Sequence, residues 1–234
     1  MLTPMELGRA GSEIDIPSSD GGLAGYLAAP TSGTGCGVLV LHEAWGLVDQ
    51  IRDVCDRLAR EGFVALAPDL FHGLVGADEE SASQLMTDLD VARAGADLDA
   101  AVHGLLSDSR TDGSRVGAVG FCMGGQLALY AATRNERIGA VVDCYGIHPN
   151  VELELSTMKA AVLGVFAEND GFVTPDAARM LEAELRAAGV PADFKIHAGV
   201  GHAFMNDSRP DAHDAVAARA AWNDILAFLR AELA

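Results

Sequence analysis

Apolar positions along this chain follow two rhythms, and the switching between them predicts its elements. The continuous apolar run Cys36 to Leu41 reads as a buried strand of a parallel sheet, Phe63 to Ala67 as the next strand, and Ile138 to Cys144 and Ala160 to Ala167 as two more buried strands. Arg115 to Val119 and Ala192 to His197 are shorter β-type runs. Between them the period lengthens to that of a helix. Gln50 to Glu61 puts Ile51, Val54, Leu58 and Ala59 on one face before Gly62 stops it. A longer helical region runs from about Glu79 to Ser107, with a break expected near Gly95, and Gln126 to Thr133 forms another helix. Pro175 to Ala188 begins with proline in its first turn. Asp211 to Leu233 closes the chain as an amphipathic helix with Val216, Trp222, Ile225, Leu226 and Leu229 inward. At the front, Ile14 and Ile16 and then Leu23 to Ala29 alternate around Asp20-Gly21-Gly22, a hairpin signal for an antiparallel edge. Strands alternating with helices predict α/β architecture: a mostly parallel sheet with helices on both faces.

Composition narrows this picture. With 234 residues and no repeat, linker or low-complexity tract, one domain is expected, with residues 1–11 a loose N-terminal segment. A formal net charge of −18 argues against nucleic acid or an anionic membrane surface as partner. Nine acids against two arginines between Asp78 and Asp112 read as an acidic, solvated helix face rather than a metal site. The cysteines at 36, 55, 122 and 144 include no C-x-x-C pair, which fits reduced, intracellular thiols better than a disulfide framework or zinc. Met1 to Gly11 lacks the apolar core of a signal peptide, and no apolar run reaches membrane-spanning length, so the expected location is cytoplasmic.

The chemistry collects at expected strand ends, where sheets of this kind place reactive groups. Gly120-Phe121-Cys122-Met123-Gly124-Gly125 follows one strand and opens a helix. A reactive residue flanked by glycines two positions either side is the nucleophile elbow, where the chain turns too sharply for neighbouring side chains. The next candidates are Asp170, in Glu168-Asn169-Asp170-Gly171, and His202, reached through Ala198-Gly199-Val200-Gly201. The order Cys122, Asp170, His202 is nucleophile, acid, base. His202 can take the thiol proton, and Asp170 can fix its tautomer; Glu168 is a rival acid. The run His42-Glu43-Ala44-Trp45-Gly46 stands where an oxyanion-hole amide is needed, the other being the N–H of Met123. Position 46 is glycine, so the zinc motif H-E-x-x-H is not formed, and neither a P-loop nor a G-x-G-x-x-G fingerprint is present.

These pieces together, with Pro68-Asp69-Leu70-Phe71 and Gly201-His202-Ala203-Phe204, resemble the dienelactone hydrolase family over most of the chain, from about Ile14 to the C-terminus. The resemblance implies an α/β-hydrolase fold without a large lid, no cofactor and no metal, and hydrolysis of an enol-lactone to an open-chain keto acid such as maleylacetate. It places the nucleophile, acid and base on Cys122, Asp170 and His202, and the oxyanion amides on Ala44 and Met123. It also implies that Glu43 contacts the resting thiol and helps deprotonate it when substrate binds. A carboxylate there favours the neutral thiol and protects it from oxidation. The family's best-known members hold a substrate carboxylate with two arginines. Arg209 can serve as one, but 78–92 contains neither arginine nor lysine and Arg93 is poorly placed. That departure opens the expectation to a neutral or larger ester or lactone, in a pocket lined by Trp45, Phe71, Tyr145, Phe172 and Phe204.

The sequence thus predicts a cofactor-free hydrolase, monomeric or a small homo-oligomer, that cleaves a small ester or lactone through a Cys122 thioester. The alternatives are a general carboxylesterase or thioesterase using the same residues, and a silent member that binds a carbonyl ligand.

Overall fold

The computed structural model describes residues 10–18, 21–146 and 148–234. Eight strands form one sheet: β1 (Gly11–Ile16), β2 (Leu23–Ala28), β3 (Gly35–Leu41), β4 (Val64–Pro68), β5 (Thr111–Phe121), β6 (Ile138–Cys144), β7 (Ala161–Ala167) and β8 (Ala192–His197). Their spatial order is β1-β2-β4-β3-β5-β6-β7-β8. β1 pairs antiparallel with β2, and β2 antiparallel with β4; every later pair is parallel. This is the expected sheet with its antiparallel N-terminal edge. Ser19 and Asp20, in the turn of that hairpin, lie outside the described residues, as do positions 1–9 of the expected loose segment.

Strand side chains alternate between faces, so each strand feeds two cores. Val38 and Val40 of β3 join one cluster with Ala65 and Ala67; Leu39 and Leu41 join the other with Val64 and Leu66. The first core is closed by α1 (Asp49–Arg60), through Ile51, Val54 and Leu58, and by α6 (Ala215–Leu233), through Trp222, Ile225, Leu226 and Leu229. The second is closed by α3 (Val91–Ser107), through Leu98, Val102 and Leu105, and by α4 (Met123–Arg134), through Leu127, Ala128 and Ala131. Helix α5 (Pro175–Ala187) packs on β7 and β8. The central strands are mostly apolar where both faces are covered, with Asp143 of β6 a buried exception.

Three expectations are corrected. The long helical region breaks at Asp88-Leu89-Asp90, giving α2 (Glu79–Thr87) and α3, whereas Gly95 lies inside α3. Asp90 caps α3 by accepting from the Arg93 amide, and Asp78 caps α2 in a box with Ser81. Gly95 sits beneath the Arg134 side chain, whose Nε would stand 2.9 Å from a Cβ at this position. The acidic stretch is not a uniformly solvated face, because Asp97 is buried and bonds His72 at 2.9 Å. Finally, α6 starts at Ala215 behind its Asp214 cap, and Val216 in its first turn is 81% exposed rather than inward. No helix among the described residues is long and apolar enough to cross a membrane.

Parallel register determines what meets at the sheet's carboxyl edge. Leu41 of β3 stands beside Gly120 of β5, Phe121 beside Cys144 of β6, and Ala167 of β7 beside His197 of β8. The segments after β3, β5, β6, β7 and β8 therefore leave the sheet side by side.

Candidate active site

Cys122 links β5 to α4 with φ 51° and ψ −122°. That backbone region is one that side chains other than glycine seldom adopt, and it turns the sulfur out of the sheet at the head of a helix. The flanking glycines are required by close approach. A Cβ on Gly120 would lie 1.9 Å from the Gly124 carbonyl oxygen, and one on Gly124 would lie 2.3 Å from that of Leu41. Strain gathers around this point. Among the described non-glycine residues, positive φ occurs at His72, Cys122, Tyr145 and Ala203. Tyr145 directly follows β6, and Ala203 directly follows His202.

His202 donates from Nδ1 to Asp170 Oδ2 at 2.8 Å. Asp170 is itself held by the amides of Phe172 and Val173, at 2.8 and 2.9 Å on Oδ1. Although burial disfavours its charge, the His202 and amide hydrogen bonds keep its carboxyl below the ordinary value. Burial also opposes a charged His202, but the Asp170 hydrogen bond and the neighbouring Cys122 sulfur outweigh it and raise the imidazole to about 10. The ring packs edge-on against Tyr145, with centroids 5.1 Å apart, and tilts against Phe172 at 5.0 Å. Glu168, the rival acid, points elsewhere: its Oε2 accepts from the Gly199 amide at 2.8 Å.

The segment after β3 is fixed by a buried histidine. His42 Nε2 accepts from the Leu70 amide at 3.2 Å, so its proton sits on Nδ1, which donates to the Glu43 carbonyl at 2.7 Å. Burial holds this imidazole below its ordinary value and keeps it neutral. The Gly46 amide also donates to the Glu43 carbonyl, at 3.1 Å. In a trans peptide the next N–H points the opposite way, so the Ala44 N–H is turned from these partners. Met123 is the first residue of α4, and its N–H belongs to the first turn, which a helix leaves unpaired.

A cavity of about 310 Å³ opens on this constellation. Glu43, Ala44, Trp45, Cys122, Phe172, His202 and Arg209 line it, joined by Glu79, Ala82, Ser83 and Met86 of α2. Three expected lining residues stand behind it instead. Phe71 is buried edge-on against His42, while Tyr145 and Phe204 are fully buried, Tyr145 meeting both the His202 and Phe204 rings edge to face. Their rings are large enough that the strand ends bury them as core.

Glu43 is buried, and its hydrogen bond is made with Asn206, whose Nδ2 donates to Oε2 at 2.7 Å; Oε1 has no hydrogen-bond partner. Both Glu43 and Cys122 line the cavity, and the hydrogen bond that holds the Glu43 carboxylate comes from the Asn206 amide. Burial raises the Glu43 carboxyl above its ordinary value, against the Asn206 bond and the charges of His202 and Arg209. Asn206 is oriented by the Ser208 amide and hydroxyl, which donate to its Oδ1 at 3.0 and 2.6 Å. Sequence reasoning missed Asn206, because a partnership across 163 positions leaves no local pattern. It also missed Asp143, whose fully buried carboxyl lies against Gly125 and Gly146 under the elbow. Burial lifts that group to about 7, and the Gly146 amide offsets this only in part.

Comparison with known proteins follows this geometry. Residues 23–233 match the model of the dienelactone hydrolase family. The protein usf of Aquifex pyrophilus is 35% identical over 227 residues, covering 94% of this chain and 98% of its own. A protein of Aquifex aeolicus (strain VF5), provisionally named carboxymethylenebutenolidase, is 33% identical over 231 residues, covering 95% and 99%. A crystal structure from Klebsiella pneumoniae, provisionally named dienelactone hydrolase, superposes with a TM-score of 0.86 at 28% identity, covering 94% of this chain and 98% of that one.

Proposed function

We propose, from the premise that this chain belongs to the dienelactone hydrolase family, that it hydrolyses a small ester or enol-lactone through a thioester on Cys122. The supporting observation is the convergence of Cys122, at a strained elbow, with a His202 whose Nδ1 is held by Asp170 at 2.8 Å. The Cys122 proton passes to His202, and the sulfur attacks the carbonyl carbon. The negative charge that develops on the carbonyl oxygen is received by the N–H groups of Ala44 and Met123. As the tetrahedral species collapses, the bond to the leaving oxygen breaks and His202 returns the proton to it. Water then gives a proton to His202 and attacks the thioester, which releases the acid and restores the thiol. Asp170 keeps the imidazole in one tautomer throughout. Each of these steps uses the protein's own groups and needs no metal or cofactor. The expected setting is the reducing cytoplasm, where Cys122 and the other three cysteines, all free, stay as thiols.

Glu43 lines the cavity beside His202 and is held there by the Asn206 amide, so its carboxylate stands ready beside the reacting groups. The same machinery would serve a general carboxylesterase or thioesterase, a reading favoured by the apolar wall of Trp45, Met86 and Phe172.

The test is turnover of a dienelactone and of p-nitrophenyl esters by wild type and Cys122→Ala. Loss of about 10³-fold or more in kcat/KM in the variant is expected, with an acyl adduct on wild-type Cys122 by intact mass during turnover. Full activity in Cys122→Ala, on whichever substrate is best, would overturn the reading.

A further inference from the structure

We propose that this cavity selects uncharged esters or lactones over carboxylate-bearing ones, and that Glu79 sets this preference by cancelling the charge of Arg209. The inference rests on the hydrolase reading above and sharpens its substrate class. Among the described residues lining the cavity, Arg209 is the one lysine or arginine. It would be the natural anchor for a substrate anion, but its charge is already met from three directions. Arg209 Nη2 lies 3.4 Å from Glu79 Oε1 and 3.6 Å from Asp211 Oδ2. Glu43 is near enough for the guanidinium to favour its charged form. The Trp45 ring lies 5.7 Å beneath the guanidinium and keeps it against this wall.

The other cation the site can form, His202 once it holds the Cys122 proton, is matched by Asp170 and by the sulfur itself. A substrate carboxylate would thus enter a cavity whose positive charges are all paired, and would face Glu43 and Glu79 across it. Like charges at such separations in a partly dehydrated site repel appreciably. An uncharged acyl group meets Trp45, Ala82, Met86 and Phe172 instead. Glu79 is the decisive acid because α2 brings it from a separate element to the Arg209 guanidinium within the cavity, where its carboxylate meets the charge a substrate anion would need.

A matched pair of substrates reads this directly: p-nitrophenyl butyrate and p-nitrophenyl hemisuccinate, which differ in a terminal methyl against a carboxylate. Wild type is expected to favour the butyrate by about tenfold or more in kcat/KM. Glu79→Gln should move that ratio about three- to tenfold toward the hemisuccinate, and Glu79→Gln with Asp211→Asn further still. Arg209→Gln should move it the other way. Raised salt should narrow the wild-type preference, since the charges at the mouth are exposed. Wild-type preference for the hemisuccinate, or a ratio unmoved in both the single and double variants, overturns the proposal while Cys122-dependent release of nitrophenol leaves the hydrolase reading intact. Absence of Cys122-dependent release from either ester removes both.

Discussion

The two walls of the cavity are built by opposite means. On the nucleophile side, β5, α4 and the segment after β3 touch backbone to backbone, and the glycines there leave no room for one carbon more. On the other side stands α2, whose sole buried residue is Ala82 and whose link across the mouth is an ion pair with the Glu79 side chain 82% exposed. The contrast teaches where each kind of requirement lives. Bond-making needs atoms held to fractions of an ångström, and rigid strand ends supply that. Choosing a substrate needs only shape and charge, which a thinly attached helix can change without disturbing the machinery opposite.

The comparison can be broken most severely at Gly124. A Cβ at this position meets the Leu41 and His42 carbonyl oxygens at 2.3 and 2.7 Å, and neither belongs to a flexible side chain. Gly124→Ala should lower the unfolding free energy by about 3 kcal/mol or more, read from the urea midpoint, or prevent folding. An unchanged midpoint would mean the elbow is far softer than its contacts imply.

A smaller effect on the same wall comes from Asp143. Its carboxyl rises from the ordinary aspartate range to about 7 because burial opposes the charge. A group whose folded value is raised stabilises the fold below its unfolded value and loses that contribution as pH climbs through about 7. Asp143→Asn removes the titration. The variant should therefore gain on wild type in urea midpoint between about pH 5 and pH 8. A gap that stays constant over that range would show that Asp143 is not the group responsible.

On the opposite wall the expected effect is the smallest. Glu79→Gln should change folding stability by no more than about 0.5 kcal/mol, as exposed ion pairs usually do, even as it alters substrate choice. A loss of several times that size would mean α2 is structurally integral and the contrast between the walls is false.

This same contrast governs what could be read from the sequence. The strand runs were legible because burial on both faces leaves an unbroken apolar signal, and Cys122, Asp170 and His202 were legible because each follows its own strand in a recognisable turn. His202 and Asp170 do meet, at 2.8 Å. Position along a helix was less legible. Gly95 reads as a breaker but lies inside α3, while the true break fell at 88–90, where Asp90 caps α3; that aspartate was present in the sequence and counted only as charge. Aromatic residues beside the catalytic positions could not be sorted into lining and support. Trp45 and Phe172 face the cavity and Phe71, Tyr145 and Phe204 do not, a difference set by packing across strands. The bond between Glu43 and Asn206 was beyond reach for the same reason.

The dihedral angles of Cys122 carry one more consequence. A φ of 51° with ψ of −122° burdens any residue that has a Cβ by about 1 to 3 kcal/mol, whatever its side chain can do. Glycine alone would sit there at ease. The folded chain is therefore less stable than it could be at the residue proposed as its nucleophile, and on that proposal selection for turnover keeps a thiol in place. Freed from that selection, a descendant would drift toward glycine at this position and gain robustness, so the letter found there in a relative is a record of whether the enzyme is still in use.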